Sequence, residues 1–382
     1  MKLPIYLDYN ATTPLDPEVL EAMLPYLTEV YGNPSSLHRV GRKAKVALEE
    51  HREKLAKLWG CKPSEIIFTS SGTEANSLAI IGSALAAKKK GKHLVATAIE
   101  HSSVLKPIHW LEEHLGFYAT LVRTDAFGFV DPLDIAHALR KETVLVTVGA
   151  ANNEVGTIQN LSEIARIVRD EGVLLHTDST QLLGKVPVHT IPELGADLVS
   201  CCAHKLFGPK GAGALYVRSP LQLKPLISGG DQEKKQRAGT ENLAGIAGLV
   251  AALEKNMRPP RFDQSYLAPL SEHFKDAVTR TPGVRFWGPD VQHRLANTLA
   301  FSVNGTNSQT LLAALDLAGV CASAGSACTT GLFKPSHVLL ALGATPDEAS
   351  SLIRFSLGPS TTLEEVEYTA AVFAEAVKQV RN

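Results

Sequence analysis

Cysteine is scarce and scattered: the chain has five thiols, an odd number, so no disulfide framework is expected and a reducing compartment is. The adjacent pair Cys201-Cys202 invites a metal reading, yet neighbours on a strand point to opposite faces and lack chelating spacing, so no metal site is expected. No apolar stretch approaches the roughly 20 residues that cross a bilayer, and Met1-Lys2-Leu3-Pro4-Ile5-Tyr6-Leu7-Asp8 has no secretory apolar core. Neither sign of charge is in surplus. The formal net charge is -1, and the longest basic run, Lys88-Lys89-Lys90, reads as a helix end, where cations meet the carbonyl dipole. A binder of phosphate backbones would carry a basic stripe, so neither nucleic acid nor membrane is an expected partner. Internal repeats and low-complexity tracts are absent as well. What is present is the composition of a soluble, cytoplasmic protein: 382 residues, 45% of them hydrophobic, enough to fill the cores of two or three domains.

Between about residues 65 and 217 the pattern alternates. Strands are expected near Ile66, Leu94, Thr120, Val144, Val173, Leu198 and Ala214, separated mostly by helices or long crossovers. That arrangement is an α/β fold with a large, mainly parallel sheet covered on both faces. A helix over 243–257 leads to the break Pro259-Pro260, after which the order reads helix, strand, helix, strand, helix, strand, helix. This second part is expected to be a smaller α+β domain.

Four elements carry chemistry. In Ser200-Cys201-Cys202-Ala203-His204-Lys205-Leu206-Phe207-Gly208, a lysine follows a short apolar run and precedes a glycine-rich turn. A partly desolvated lysine near other cations, here His204 and Lys210, forms Schiff bases with carbonyl compounds, although most strand-end lysines are merely exposed. Val173-Leu174-Leu175-His176-Thr177-Asp178 reads as a buried strand delivering Asp178 at its carboxyl end, where ligands sit in open α/β sheets. A carboxylate there can keep a pyridine nitrogen protonated, with Gln181 reaching a ring hydroxyl; the alternative is a helix cap. Ile66-Ile67-Phe68-Thr69-Ser70-Ser71-Gly72-Thr73-Glu74 is a strand, a turn of small residues and a helix start, which suits a phosphate at Gly72 and Thr73. In Ala98-Ile99-Glu100-His101-Ser102-Ser103, an imidazole at a strand end can lie flat on a pyridine ring.

These elements occur in the chain order used by pyridoxal-phosphate enzymes of the aspartate-aminotransferase fold, also called fold type I. Further blocks are Tyr6-Leu7-Asp8-Tyr9-Asn10-Ala11-Thr12-Thr13-Pro14, Gly32-Asn33-Pro34-Ser35-Ser36, Asn152-Asn153-Glu154-Val155-Gly156, Arg237-Ala238-Gly239-Thr240 and Ile353-Arg354-Phe355-Ser356-Leu357-Gly358. With them the chain resembles, over nearly its whole length, cysteine desulfurases of the NifS/IscS type. The stretch Ala322-Ser323-Ala324-Gly325-Ser326-Ala327-Cys328-Thr329-Thr330-Gly331 is similar to the persulfide-forming loop of that branch. Its small residues have little to anchor them to a core, so a mobile loop is expected over about 321–334.

The resemblance implies a homodimeric enzyme that converts L-cysteine to L-alanine and carries the sulfur on Cys328 as a persulfide. It implies Lys205 as Schiff-base lysine and proton acceptor and His101 as ring-stacking and proton-moving group. Gly72, Thr73, Asp178, Gln181, Cys202, His204 and Thr240 become cofactor contacts, with Thr240 reaching the neighbouring subunit's phosphate. Asn10, Asn153 and Arg354 become the substrate-carboxylate side. It implies a large domain over 15–257 and a small one formed by 1–14 and 258–382. Two departures stand out. Cys202 replaces the usual serine, a stronger donor, and the chain ends at Asn382, before the tail by which relatives dock an iron-sulfur scaffold. An iron-sulfur scaffold, a sulfur carrier, a tRNA-thiolating enzyme or a DNA-sulfur-modification partner therefore all stay open as acceptor. A selenocysteine lyase or another fold type I enzyme would share Lys205, Asp178 and His101, and a catalytically silent sulfur-transfer subunit would keep the fold alone.

Overall fold

The computed structural model describes residues 4–325 and 334–381. Its strands, in chain order, are β1 (Ile5–Tyr6), β2 (Ile66–Thr69), β3 (His93–Thr97), β4 (Tyr118–Val122), β5 (Thr143–Thr147), β6 (Leu174–Asp178), β7 (Leu198–Cys202), β8 (Gly213–Val217), β9 (Val284–Trp287), β10 (Thr298–Val303), β11 (Val320–Cys321) and β12 (Ile353–Ser356). β2 to β8 form a seven-stranded sheet in the order β2-β8-β7-β6-β5-β3-β4. Only β8 runs against its neighbours. Every residue of β3, β5, β7 and β8 is buried, as expected of strands with helices on both faces, whereas the edge strand β4 stays partly exposed.

One face of the sheet is covered by helices Arg39–Trp59, Leu161–Asp170 and Leu243–Asn256, and the other by the helix that starts at Gly72 and by Ser102–Leu115. Helix Arg39–Trp59 shows why these segments pack as they do. Ala44, Ala47, Leu48, Leu55, Ala56 and Trp59 recur on one face, and Gly60 ends the helix at φ 68°. A Cβ at Gly60 would lie 2.7 Å from the Thr190 side chain. The helix from Gly72 runs through a π-helical stretch, Leu78–Gly82, into Ser83–Ala87, so the three lysines 88–90 follow that helix instead of ending it.

The carboxyl part has its own core around Phe274, Phe301, Phe355 and Phe373, with Phe274 and Phe355 edge to face at 5.0 Å. The antiparallel sheet β12-β10-β9 and helices Gln264–Thr279, Ser308–Leu317 and Leu363–Arg381 enclose it. β1 pairs with β11, and Asp8 bridges to Ser356, which ties the amino-terminal arm to this part. The expected strict alternation of helix and strand is corrected here. β9 and β10 are consecutive antiparallel strands, and two short helices, His337–Ala341 and Pro346–Ser350, precede β12. The β9–β10 connection carries no helix because Gly288, at φ 120°, turns against the Val155 carbonyl, to which a Cβ would come within 2.6 Å.

Segment 231–236 is held in an uncommon backbone conformation: Glu233, Lys234 and Lys235 have φ of 43°, 57° and 67°. The buried Glu233 carboxylate fixes it, accepting from Arg52 at 2.7 and 3.0 Å and from the Phe68 N–H at 3.1 Å. Glu233→Ala should lower the unfolding free energy by ~3–5 kcal/mol in calorimetry, because it removes the two-pronged buried partner of Arg52 and leaves its charge only the half-exposed Glu49. Asp231→Ala, which breaks an exposed contact to Lys235, should be nearly neutral.

Candidate active site

Four strands of the large sheet end in the residues singled out by sequence. β2 runs into Ser71-Gly72-Thr73, β3 into Glu100-His101, β6 ends at Asp178 and β7 leads to Lys205. Because these strands are parallel, their carboxyl ends open on one side of the sheet. There they line a cavity of ≈ 260 Å³, closed from across by Asn10 of the amino-terminal arm and Arg354 of β12. Gly72, Thr73, His101, Asn153, Gln181, Cys202 and His204 line it too. Thr240 does not. It lies exposed beside a separate cleft with Phe68, Arg237 and Glu241. Cys328 lies outside the described residues, beyond Gly325, which lines the cavity.

Lys205 is half-buried, and its Nζ donates to the carbonyls of Asn10 at 2.5 Å and Ala11 at 2.7 Å. Burial pulls its pKa below the usual lysine value, the direction a Schiff-base lysine requires. Asp178 accepts from Asn76 Nδ2 at 2.7 Å and from the Thr180 N–H at 2.9 Å, so both its oxygens are oriented. His101 caps helix Ser102–Leu115: its Nδ1 accepts from the Ser103 N–H at 3.1 Å. Burial lowers its pKa, and with Nδ1 accepting, the neutral ring carries its proton on Nε2.

At the other end, Ser71 caps the helix that begins at Gly72. A Cβ at Gly72 would sit 3.1 Å from Thr180 Oγ1 and 3.6 Å from Cys202, so a bare backbone, a hydroxyl and a thiol converge. Burial pushes the Cys202 thiol up to about 11, which keeps its proton on sulfur as a weak donor. Burial and the neighbouring Lys205 and Lys210 hold His204 down to about 4, and it sits neutral with Nδ1 3.2 Å from Thr12 Oγ1.

Arg354 is buried. Its guanidinium donates to Asp8 at 2.9 Å and to the Asn153 carbonyl at 3.1 Å, and its Nε has no partner. Glu154 accepts from Ser336 Oγ at 2.5 Å, and a Cβ on Gly325 would come within 2.9 Å of its carboxyl.

Pyridoxal phosphate fits this donor set. Thr180 Oγ1 and Asn76 Oδ1 are buried without a partner, as is Arg354 Nε, so the cavity wall has hydrogen-bonding capacity unmet by protein. The cofactor's phosphate suits the Gly72–Thr73 backbone, Thr180 and Cys202, its ring nitrogen Asp178, and its aldehyde Lys205. Sequence reasoning passed over Thr180, Asn76 and Glu100. Thr180 and Asn76 carry no local signal, since only folding sets them beside Gly72 and Asp178.

Glu100 is 4% exposed, accepts from Thr97 Oγ1 at 2.6 Å and from the Gly149 N–H at 2.8 Å, and lines the cavity. Burial above all, with Asp178 nearby, raises its pKa from 4.5 to about 7. Above the unfolded value the folded state binds the extra proton, so stability falls as pH rises from about 4.5 to about 7. Glu100→Gln should remove this slope and stabilise the apoprotein at pH 8 by on the order of 3 kcal/mol, read from chemical unfolding at several pH values.

The profile of the Aminotransferase class-V family matches residues 5–369. "Cysteine desulfurase IscS" of Dictyoglomus turgidum is 46% identical over 382 residues, which cover 100% of this chain and 96% of the relative. A solved "NIFS-LIKE PROTEIN" superposes with a TM-score of 0.91 at 35% identity, covering 99% of this chain and 100% of its own. "SspA in complex with cysteine" superposes with a TM-score of 0.80 at 34% identity, covering 94% of this chain and 100% of its own. With fold, cavity and full-length similarity in agreement, the chain belongs to the class-V aminotransferase family, among the cysteine desulfurases of the IscS/NifS type.

Proposed function

We infer that the protein removes sulfur from L-cysteine to give L-alanine, holding the sulfur on Cys328 as a persulfide. The observation that carries this reading is an amine on Lys205, without a carboxylate partner among the described residues, in a cavity shared with Asp178 and Arg354. Bound there, pyridoxal phosphate supplies an electron sink for the substrate α carbon. Asp178 would hold the proton on the ring nitrogen, and Gln181 would donate to the ring oxygen. Arg354 binds the substrate carboxylate, with Asn10 and Asn153 fixing the wall beside it. Lys205 Nζ takes the proton from the α carbon. His101, which lines the cavity with its proton on Nε2, would lie against the ring and could hand that proton to the reacting atoms. The Cys328 thiolate attacks the substrate sulfur. A sulfur–sulfur bond forms, the carbon–sulfur bond breaks with its electron pair left on carbon, a proton completes the alanine methyl group, and Lys205 returns a proton to the α carbon.

A homodimer is part of this reading. Leu24, Leu27, Tyr31, Leu37, Val40 and Val46, on and between helices Pro17–Thr28 and Arg39–Trp59, are all at least 40% exposed, the apolar surface a second copy would cover. Thr240, away from its own chain's cavity, is then the contact to the partner's cofactor phosphate. The large domain is taken as 15–257 and the small one as 1–14 with 258–382. A protein acceptor takes the sulfur: an iron-sulfur scaffold, a sulfur carrier or a thiolating enzyme. Cys61, Cys201, Cys202 and Cys321 are unpaired thiols, which supports a reducing cytoplasm. No group of three metal-ligating side chains occurs among the described residues.

Cys328→Ser should keep the cofactor's visible absorption and its change on adding L-cysteine, yet give no persulfide by mass spectrometry; alanine formed at the unsubstituted rate would overturn the role of Cys328. Arg354→Ala should raise the KM for L-cysteine ~10–100-fold in steady-state assays, the loss of a charge-assisted pair.

A further inference from the structure

Beneath the cavity lies a second lysine that the reaction does not use. Lys185 is 0% exposed, and among the described residues it forms no ion pair. Burying an ammonium or amine this deeply is costly unless each N–H has a defined partner. Two partners are side-chain amides: Nζ lies 2.6 Å from Asn10 Oδ1 and 2.5 Å from Gln181 Oε1. A third face looks onto the Phe262 ring, whose centroid is 5.4 Å away. Gly184 makes the inward turn. At φ 74°, a Cβ there would meet Leu206 Cδ2 at 2.2 Å.

An amide presents an oxygen at one end and N–H groups at the other, and which end faces a given neighbour is settled by that neighbour's chemistry. Burial drives the Lys185 pKa well below the ordinary lysine value, but as ammonium or amine Nζ keeps at least two N–H donors. Nζ donates to both amide oxygens, and Asn10 Oδ1 accepts a second hydrogen bond from Asn297 Nδ2 at 3.0 Å. The consequences run to opposite ends of the cavity. Gln181 is left with Nε2 toward the Asn10 carbonyl, at 3.0 Å, and its remaining N–H for the cavity it lines. Asn10 is left with Nδ2 toward Thr298 Oγ1, at 2.8 Å, and the Asn153 carbonyl, at 3.2 Å. That carbonyl also receives Arg354. Reversing Asn10 would set its oxygen against the Asn153 carbonyl, two acceptors face to face.

We propose that Lys185 is a positioning residue: its donors fix the polarity of Gln181 and, together with Asn297, that of Asn10, so that the cavity shows an N–H to the cofactor's ring oxygen and a steady Asn153–Arg354 wall to the substrate. Lys185 touches neither ligand and acts through the two amides. The proposal rests on the cavity being the pyridoxal-phosphate site.

The test is a double-mutant cycle on the purified full-length protein, with Lys185→Met, Gln181→Leu and the double variant. Met fills the space of the lysine stem beside Phe262 but gives no hydrogen bond. Pyridoxal phosphate binding is measured by absorbance titration. Lys185→Met is expected to raise the Kd about 10-fold or more, and the double variant to lie within two-fold of Gln181→Leu alone. A Kd within two-fold of the unsubstituted protein, or losses that multiply, would overturn the proposal, since a lysine that only supports packing would not couple to Gln181. An unsubstituted protein that fails to bind the cofactor would instead overturn the assignment of the cavity. Should Lys185→Met not fold, neutron diffraction from the deuterated, unsubstituted protein decides: deuterons on the Gln181 atom facing the cavity support the proposal, and an oxygen there refutes it.

Discussion

Residues 8–13 lie between the two sheets and are hydrogen-bonded to both, and the cavity exists because of that double attachment. On one side, the Asn10 N–H donates to Ser356 Oγ and Asp8 pairs with Arg354 of β12. On the other, the carbonyls of Asn10 and Ala11 accept from Lys205, and Thr13 meets the His204 carbonyl and the Phe207 N–H. The separation of Lys205 and Arg354 is thereby tied to a short stretch of backbone, alongside the packing of Ile99 and Val155 against Trp287, Ala300 and Leu352. Backbone carbonyls are also the right partners for a reactive amine. They hold it in place without the counter-charge that would keep it protonated.

The same preference for neutral partners runs through the whole pocket. Lys185 is met by amides, His101 by a backbone N–H, and Glu100 by a hydroxyl and a backbone N–H. Burial then shifts each group toward its uncharged form, with Lys205, Lys185 and His101 moved down and Glu100 and Cys202 moved up. Arg354 is different, because its guanidinium stays charged and lies against Asp8. A site built this way can pass protons near neutral pH while keeping one permanent cation for a carboxylate.

Legibility in the sequence tracked how local each signal was. The seven strands of the large sheet sit where mainly apolar runs placed them, because strands buried on both faces are mostly apolar and only the edge strand β4 is left largely uncovered. The β9–β10 pairing was misread as strand, helix, strand, since the turn depends on a distant contact between Gly288 and Val155. Gly72, His101, Asp178 and Lys205 could be found because each stands just beyond a strand end in a recognisable block. Thr180 and Asn76 could not, because their role comes from residues remote in the chain. Lys185 offered even less. In sequence it is one more lysine after a glycine, with nothing to say that it would be the one sealed inside.

The sequence by itself determined the α/β pattern and the four groups at strand ends, because hydrophobic periodicity and strand-end placement are written in neighbouring residues; the fold type and the cofactor came through the resemblance of its blocks to a known family. Only the tertiary structure decided which polar groups are left without partners, which amides are oriented by a buried amine, and that Thr240 stands away from its own chain's cavity. Those outcomes depend on desolvation and on contacts between residues far apart in the chain. Neither exists until the amino-terminal arm, the large sheet and β12 have closed on one another.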